Sequence, residues 1–244
     1  MLGLARAARA GGRVHESRDD APSLAVDGVS AGYGGRLAIE GISGRFEAGS
    51  LTAIVGFNGA GKSTLLNVLA GTLRPYSGTV RLDGGRPASV GYLPQVTEID
   101  RDYPVSTLEF VALGGWRRFG PFRAPPEDLL ARVRSALHAV GMQSTAASRI
   151  SDLSVGQFRR ILFARLIVQD ARLILLDEPF AGVDAQTMSV LLDQVECWHW
   201  EGRTVIAVLH DLDVVRTRFP STLVLARRCV AWGATEAALP AMAA

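Results

Sequence analysis

Apolar and polar positions begin to alternate at recognisable periods after Pro22. LAVDGV (24–29) and GRFEAGSLTAIV (44–55) have the spacing of short strands with turn residues between them. GKSTLLNVLAGTL (61–73) changes to a helical period and stops at Gly71, so the order is strand, glycine loop, helix. GTVRLDG (78–84) and SVGYLPQ (89–95) predict two more strands, the second ended by Pro94. RLILLD (172–177) and TVIAVLH (204–210) are continuous apolar runs, as in parallel strands buried on both faces. Helical patterns follow around 185–200 and 211–218.

Between 105 and 169 the text changes character. VSTLEFVALGG (105–115), PEDLLARVRSALHAVGM (126–142) and GQFRRILFARLIVQ (156–169) are three helical patterns with no strand between them. They predict a helical insertion in an α/β domain, jointed at the proline-rich GPFRAPPED (120–128). The expected organisation is a disordered N-terminal tail over 1–21, a body over 22–235 with a helical lobe at about 100–168, and a C-terminal tail over 236–244.

Composition adds limits. The chain of 244 residues is 48% apolar and 20% charged, enough to bury a full core. A formal charge of +2, from 26 basic and 24 acidic residues, does not imply a nucleic-acid partner. Cys197 and Cys229 are in no metal-ligand spacing, and no apolar run is long enough to cross a bilayer. In CWHW (197–200), Cys197 and His199 are two residues apart on a predicted helix, about 200° around its axis, and cannot share one ion there. Every basic residue but one is arginine; the exception is Lys62.

That lysine lies in GFNGAGKST (56–64), which fits G-x-x-x-x-G-K-[ST] through Gly56, Gly61, Lys62 and Ser63, with a strand before it and a helix after. Backbone N–H groups of Gly59 to Ser63 at a helix N-terminus would cradle nucleotide phosphates, and the Ser63 hydroxyl would face Mg²⁺. A compact ammonium can reach between phosphates as a point charge, which a planar guanidinium cannot do in the same slot. LILLDEP (173–179) delivers Asp177 and Glu178 at the end of a buried strand, where ligands bind in open α/β sheets. Asp177 would hold Mg²⁺ through water, and Glu178 would orient or deprotonate an attacking water. His210 also follows a buried strand; spacing alone leaves it structural or catalytic. In LSVGQFRR (153–160), Ser154 and Gly156 read by themselves as a helix N-cap with a glycine, a second anion-binding end. Gln95 is an uncharged amide where sheet meets helical lobe.

Together these segments resemble the nucleotide-binding subunit of an ATP-binding cassette (ABC) transporter across nearly all of 22–235. The resemblance implies a P-loop NTPase, RecA-like core with an ABC-type antiparallel β subdomain and an inserted α-helical subdomain. It makes Tyr33 the aromatic that stacks on adenine, 56–64 the Walker A loop (Asn58, Gly59, Ala60 and Thr64 with the residues above), and Gln95 the Q-loop glutamine that reaches Mg²⁺ and the catalytic centre. LSVGQ becomes the signature motif, with Ser154, Gly156 and Gln157 on nucleotide; AGVD becomes the D-loop with Asp184, and His210 the switch histidine. Val155 departs from LSGGQ, where glycine stands. The implied assembly is an ATP-dependent head-to-tail homodimer on an integral-membrane permease, at the cytoplasmic face of a bacterial inner membrane, fed by a periplasmic metal-binding protein.

IDRDYPVS (99–106) is similar to bacterial zinc and manganese uptake ATPases, and GGWRRFGPF (114–122), with VAWG (230–233), is most like the zinc branch. Manganese or iron/siderophore uptake is the alternative, and a soluble non-transport ABC ATPase a further one. Tyr103, Phe110, Trp116 and Phe119 are expected either to line a permease-docking groove or to form lobe core.

Overall fold

The computed structural model describes residues 21–84, 90–95, 99, 101–120 and 122–242. Residues 1–20 of the tail expected over 1–21, and the stretch VTE (96–98), lie outside the described residues, while Ala21 is buried.

A three-stranded antiparallel sheet is ordered β2-β1-β4, from β1 (Ser23–Tyr33), β2 (Arg36–Phe46) and β4 (Ser77–Asp83). β1 and β2 are joined by Gly34 and Gly35, at φ 56° and 78°, the left-handed pair that a two-residue hairpin turn needs. The second sheet is ordered β5-β6-β7-β3-β8-β9. It comprises β3 (Leu51–Val55), β5 (Val90–Leu93), β6 (Leu173–Asp177), β7 (Thr204–Val208), β8 (Ser221–Ala226) and β9 (Arg228–Ala234). All its pairings are parallel except β8 with β9.

Every residue of β3, β6 and β7 is buried. Their side chains alternate between two cores, as strand geometry requires. Leu173, Leu175, Ile206 and Leu223 pack with helix α1 (Lys62–Leu69) and the three-stranded sheet. Ile174, Leu176, Val205 and Ala207 face the other core, shared with the helical lobe. That lobe is built from α2 (Thr107–Ala112), the short α3 (Trp116–Phe119), α4 (Glu127–Ala139) and α5 (Val155–Gln169). Trp198 on α6 (Ala185–Trp200) stacks on Phe163 of α5, with centroids 5.5 Å apart and planes within 12°. This offset-stacked contact ties α5 of the lobe to α6.

The structure adds detail to the sequence reading in three places. GRFEAGSLTAIV is not one strand: it is the end of β2, a turn in which Ser50 N–H bonds the Glu47 carbonyl, and β3 in the other sheet. β8 and β9 were not anticipated. After α7 (Leu212–Arg218), α8 (Thr235–Ala238) and a 3-10 turn (Leu239–Met242) pack on the body with Ala238 and Leu239 buried, inside the segment expected as a C-terminal tail. Among the described residues no helix is long and apolar enough to cross a membrane.

Candidate active site

β3 ends at Val55 and the chain turns through 56–61 into α1. Gly61 caps the helix at φ 92°, and a Cβ there would lie 2.4 Å from Ile39 Cγ2 and 2.6 Å from the Ala38 carbonyl oxygen. A Cβ on Gly56 would lie 2.1 Å from the Leu225 carbonyl oxygen, so β8 closes that flank. Only glycine fits at either point. The Ala60 carbonyl accepts from Arg227 N–H at 3.0 Å, and Arg227 holds φ 61° in the turn between β8 and β9. The loop is thus held from both sheets, while Asn58 and Gly59 form its exposed lip.

Lys62 is 6% exposed, and its ammonium donates to the carbonyls of Gly56 at 2.8 Å and Phe57 at 3.1 Å. Burial lowers its pKa, opposed by the charges of Glu178 and Asp177. The ammonium therefore sits in the field of both acids. Ser63 Oγ donates to Asp177 Oδ1 at 3.2 Å, joining the start of α1 to the end of β6. Thr64 is buried on the next position of the helix.

Asp177 pairs across the sheet with Val208 of β7, which puts Glu178 and His210 at the same C-terminal edge. His210 Nε2 meets Glu178 Oε1 at 2.7 Å. Glu178 itself stands at φ 48°, a left-handed conformation that costs a non-glycine residue roughly 1–3 kcal/mol and tends to occur at functional sites. β5 pairs with β6 up to Leu93 beside Leu176, so half-buried Gln95 lies two residues beyond, on that same edge. Tyr33 is 56% exposed, and its hydroxyl accepts from Asn67 Nδ2 of α1 at 3.2 Å, which holds the ring beside the loop helix. Asn67 also accepts from the Tyr92 hydroxyl at 2.8 Å, a link the sequence did not reveal.

The second predicted anion end is a full capping box. Ser154 Oγ accepts from Gln157 N–H at 3.2 Å, and Gln157 Oε1 accepts from Ser154 N–H at 2.9 Å. Ser154, Val155 and Gln157 are all exposed, so Val155 directs its side chain outward. A Cβ on Gly156 would meet Thr187 Oγ1 at 3.6 Å and Asp184 Oδ2 at 3.7 Å, ordinary contacts that place the start of α5 against the start of α6. Asp184 caps α6 by accepting from Thr187 N–H at 2.8 Å and from its hydroxyl at 2.7 Å. The backbone bond from Thr187 is the largest cause holding the Asp184 carboxyl below its usual range.

The lobe aromatics divide. Phe110 is core, tilted against Phe158 at 5.7 Å, whereas Tyr103 and Trp116 are exposed and Phe119 is half-buried against Trp116. His199 bonds the Gly49 carbonyl at 3.0 Å, tying α6 to the turn before β3.

A phosphate-type loop and two strand-borne acids converging on one edge of a parallel sheet place the domain among P-loop NTPases. Residues 39–181 match the ABC transporter family, and the chain belongs to it. It is 38% identical over 221 residues to the zinc transport system ATP-binding protein TroB of Treponema pallidum, covering 88% of this chain and 83% of that one. It is 37% identical over 220 residues to the manganese transport system ATP-binding protein MntA of a Synechocystis strain, covering 87% and 85%. Among solved structures it resembles CbiO1 of Clostridium perfringens, part of the ABC transporter complex cbiONQ. That match has 29% identity, a TM-score of 0.73, and covers 88% of this chain and 89% of that chain. The chain is accordingly an ATP-binding, ATP-hydrolysing domain of the transporter type.

Proposed function

We propose that this chain is the ATPase subunit of a bacterial importer of divalent metal, and that the metal is zinc. The catalytic part is carried by the 2.7 Å contact between His210 and Glu178 beside the Lys62 loop. In this reading Glu178 orients or deprotonates the water that attacks the γ-phosphate, and His210 holds the carboxylate in place. Lys62 and the N–H groups of 56–64 bind the phosphates, and Tyr33 stacks on the base.

The oxygen donors suit a hard cation: Ser63 Oγ and Asp177 Oδ1 are 3.2 Å apart, and Gln95 adds an amide at the same edge. Ser63, Asp177 and Gln95 would hold Mg²⁺, which when bound neutralises phosphate charge. Ser154, Gly156 and Gln157 cap the nucleotide of a second copy, with Asp184 at the same interface, which makes the working unit a head-to-tail dimer closed by ATP. Exposed Tyr103 and Trp116 suit a permease that anchors the subunit at the cytoplasmic face of the membrane, with a periplasmic binding protein supplying metal. The CbiO1 likeness supports work within such a complex.

The zinc reading rests on GGWRRFGPF and VAWG and is supported by the TroB relative; the MntA relative, of nearly equal identity, favours manganese as the second reading. Deleting the gene and measuring cell metal under scarcity separates them. Zinc is expected to fall, and a fall in manganese with zinc unchanged overturns the assignment.

A further inference from the structure

Arg159 is a cation buried for no reason that packing supplies. It is 6% exposed on the second turn of α5, between Phe158 and the half-buried Arg160. Its Nη1 donates to the backbone carbonyl of Glu178, and its Nε is buried without a hydrogen-bond partner among the described residues. Burying a guanidinium with an unsatisfied N–H is costly, and an apolar side chain of similar volume would fill the space without that penalty. What the arginine has that an apolar residue lacks is a grip on one carbonyl. That carbonyl belongs to the residue at φ 48°, and its other partner is the Ala181 N–H at 3.2 Å. The next residue, Arg160, donates to Thr187 Oγ1 at 2.7 Å, which in turn bonds Asp184. Two consecutive side chains of α5 therefore fasten both ends of segment 178–184. Burial lowers the Arg159 pKa, and the Glu178 charge opposes that fall, so the guanidinium also senses the carboxylate.

We propose that Arg159 is a positioning residue for hydrolysis: it fixes the strained backbone of Glu178 and thereby couples that carboxylate to the exposed start of α5. This rests on the proposed roles of Glu178 and of the α5 start in a head-to-tail dimer. In that dimer, α5 touches the partner's nucleotide while Arg159 holds the base of its own site. Seating of one nucleotide is then transmitted to the hydrolytic geometry of the other through a single rigid helix.

The test compares Arg159→Met and Arg159→Lys in the full chain, reading ATPase kcat, Kd for a fluorescent ATP analogue, and thermal midpoint. Arg159→Met, which removes the donor, is expected to lower kcat about tenfold or more, because small misplacements of reacting groups carry losses of that order. Arg159→Lys, which keeps a donor, is expected to retain an intermediate kcat. Kd stays at the wild-type value in both. Wild-type kcat in both variants overturns the proposal, as does a rise in Kd that matches the fall in kcat. If Arg159→Met does not fold, Arg159→Lys decides alone by the same split of kcat from Kd. Glu178→Gln is run beside them. If Glu178→Gln turns over normally, the role of Glu178 itself is wrong; if it is inactive while Arg159→Met is unimpaired, only the Arg159 assignment is lost.

Discussion

Gly59 and Gly61 occupy one loop and both hold left-handed φ, 80° and 92°, but their surroundings differ. A Cβ on Gly59 meets nothing within 4 Å, whereas one on Gly61 would be 2.4 Å from Ile39 Cγ2 and 2.6 Å from a backbone oxygen. Alanine in a left-handed conformation costs roughly 1–2 kcal/mol, and its lower unfolded-state entropy returns about 0.4–1 kcal/mol. Gly59→Ala is thus expected to lose about 0.5–1 kcal/mol of stability. Gly61→Ala carries the same balance plus overpacking against two immobile neighbours, typically about 1–3 kcal/mol, for a total of roughly 1.5–4 kcal/mol. Ile39 is fully buried, so the clash has no open space to relax into. Urea unfolding without nucleotide measures both variants free of any ligand contribution. Equal losses would refute the claim that the Ala38–Ile39 wall shapes this loop.

Glu178→Gln is expected to retain ATP binding and lose ~10²–10⁴ in hydrolysis, measured by single-turnover phosphate release. Lys62→Arg keeps the charge but cannot reproduce two short bonds to the Gly56 and Phe57 carbonyls, so nucleotide binding or turnover falls; wild-type kinetics would count against the point-charge argument. Burial holds the folded Lys62 pKa below its ordinary 10.5, so the unfolded chain binds more protons in the window just beneath that value. Nucleotide-free wild type is therefore expected to gain stability relative to Lys62→Met as pH rises through that window, with the burial penalty fully present below it. Every other ionisable group is common to both variants and cancels in the difference, and a pH-independent difference in thermal midpoints would contradict the burial penalty. Ser154→Ala removes one side of the capping box and is expected to lose about 1 kcal/mol in urea unfolding.

What the sequence disclosed follows the strength of each local signal. The loop, Asp177, Glu178 and His210 were legible because each follows a run such as LILLD, whose burial on both faces leaves an uninterrupted apolar pattern. β8 carries a similar run, TLVL, and was readable on the same terms; β9 is a half-buried edge strand whose alternation is weak. The division of GRFEAGSLTAIV between two sheets is decided by pairing partners: Phe46 opposite Leu24 and Leu51 opposite Val205. Such partners have no local signature. The same holds for Arg159, because α5 is apolar on nearly every side and its spacing does not say which cation is buried until the helix is seen packed on the 178–184 turn. The lobe aromatics were left with two readings because helical spacing does not separate buried Phe110 from exposed Trp116.

The order in which the chain leaves the ribosome gives the sheet a further meaning. β3, which launches the phosphate loop, is flanked by β7 and β8, and the loop's Ala60 is tied to Arg227. All of those supports are synthesised more than 140 residues after β3 itself, at roughly 5–20 residues per second. A nascent chain that already displays GFNGAGKST therefore has its β2 wall but lacks its β7 and β8 supports for several seconds. Nucleotide capture becomes a late event in biogenesis, available once residues 204–228 have emerged and joined the sheet.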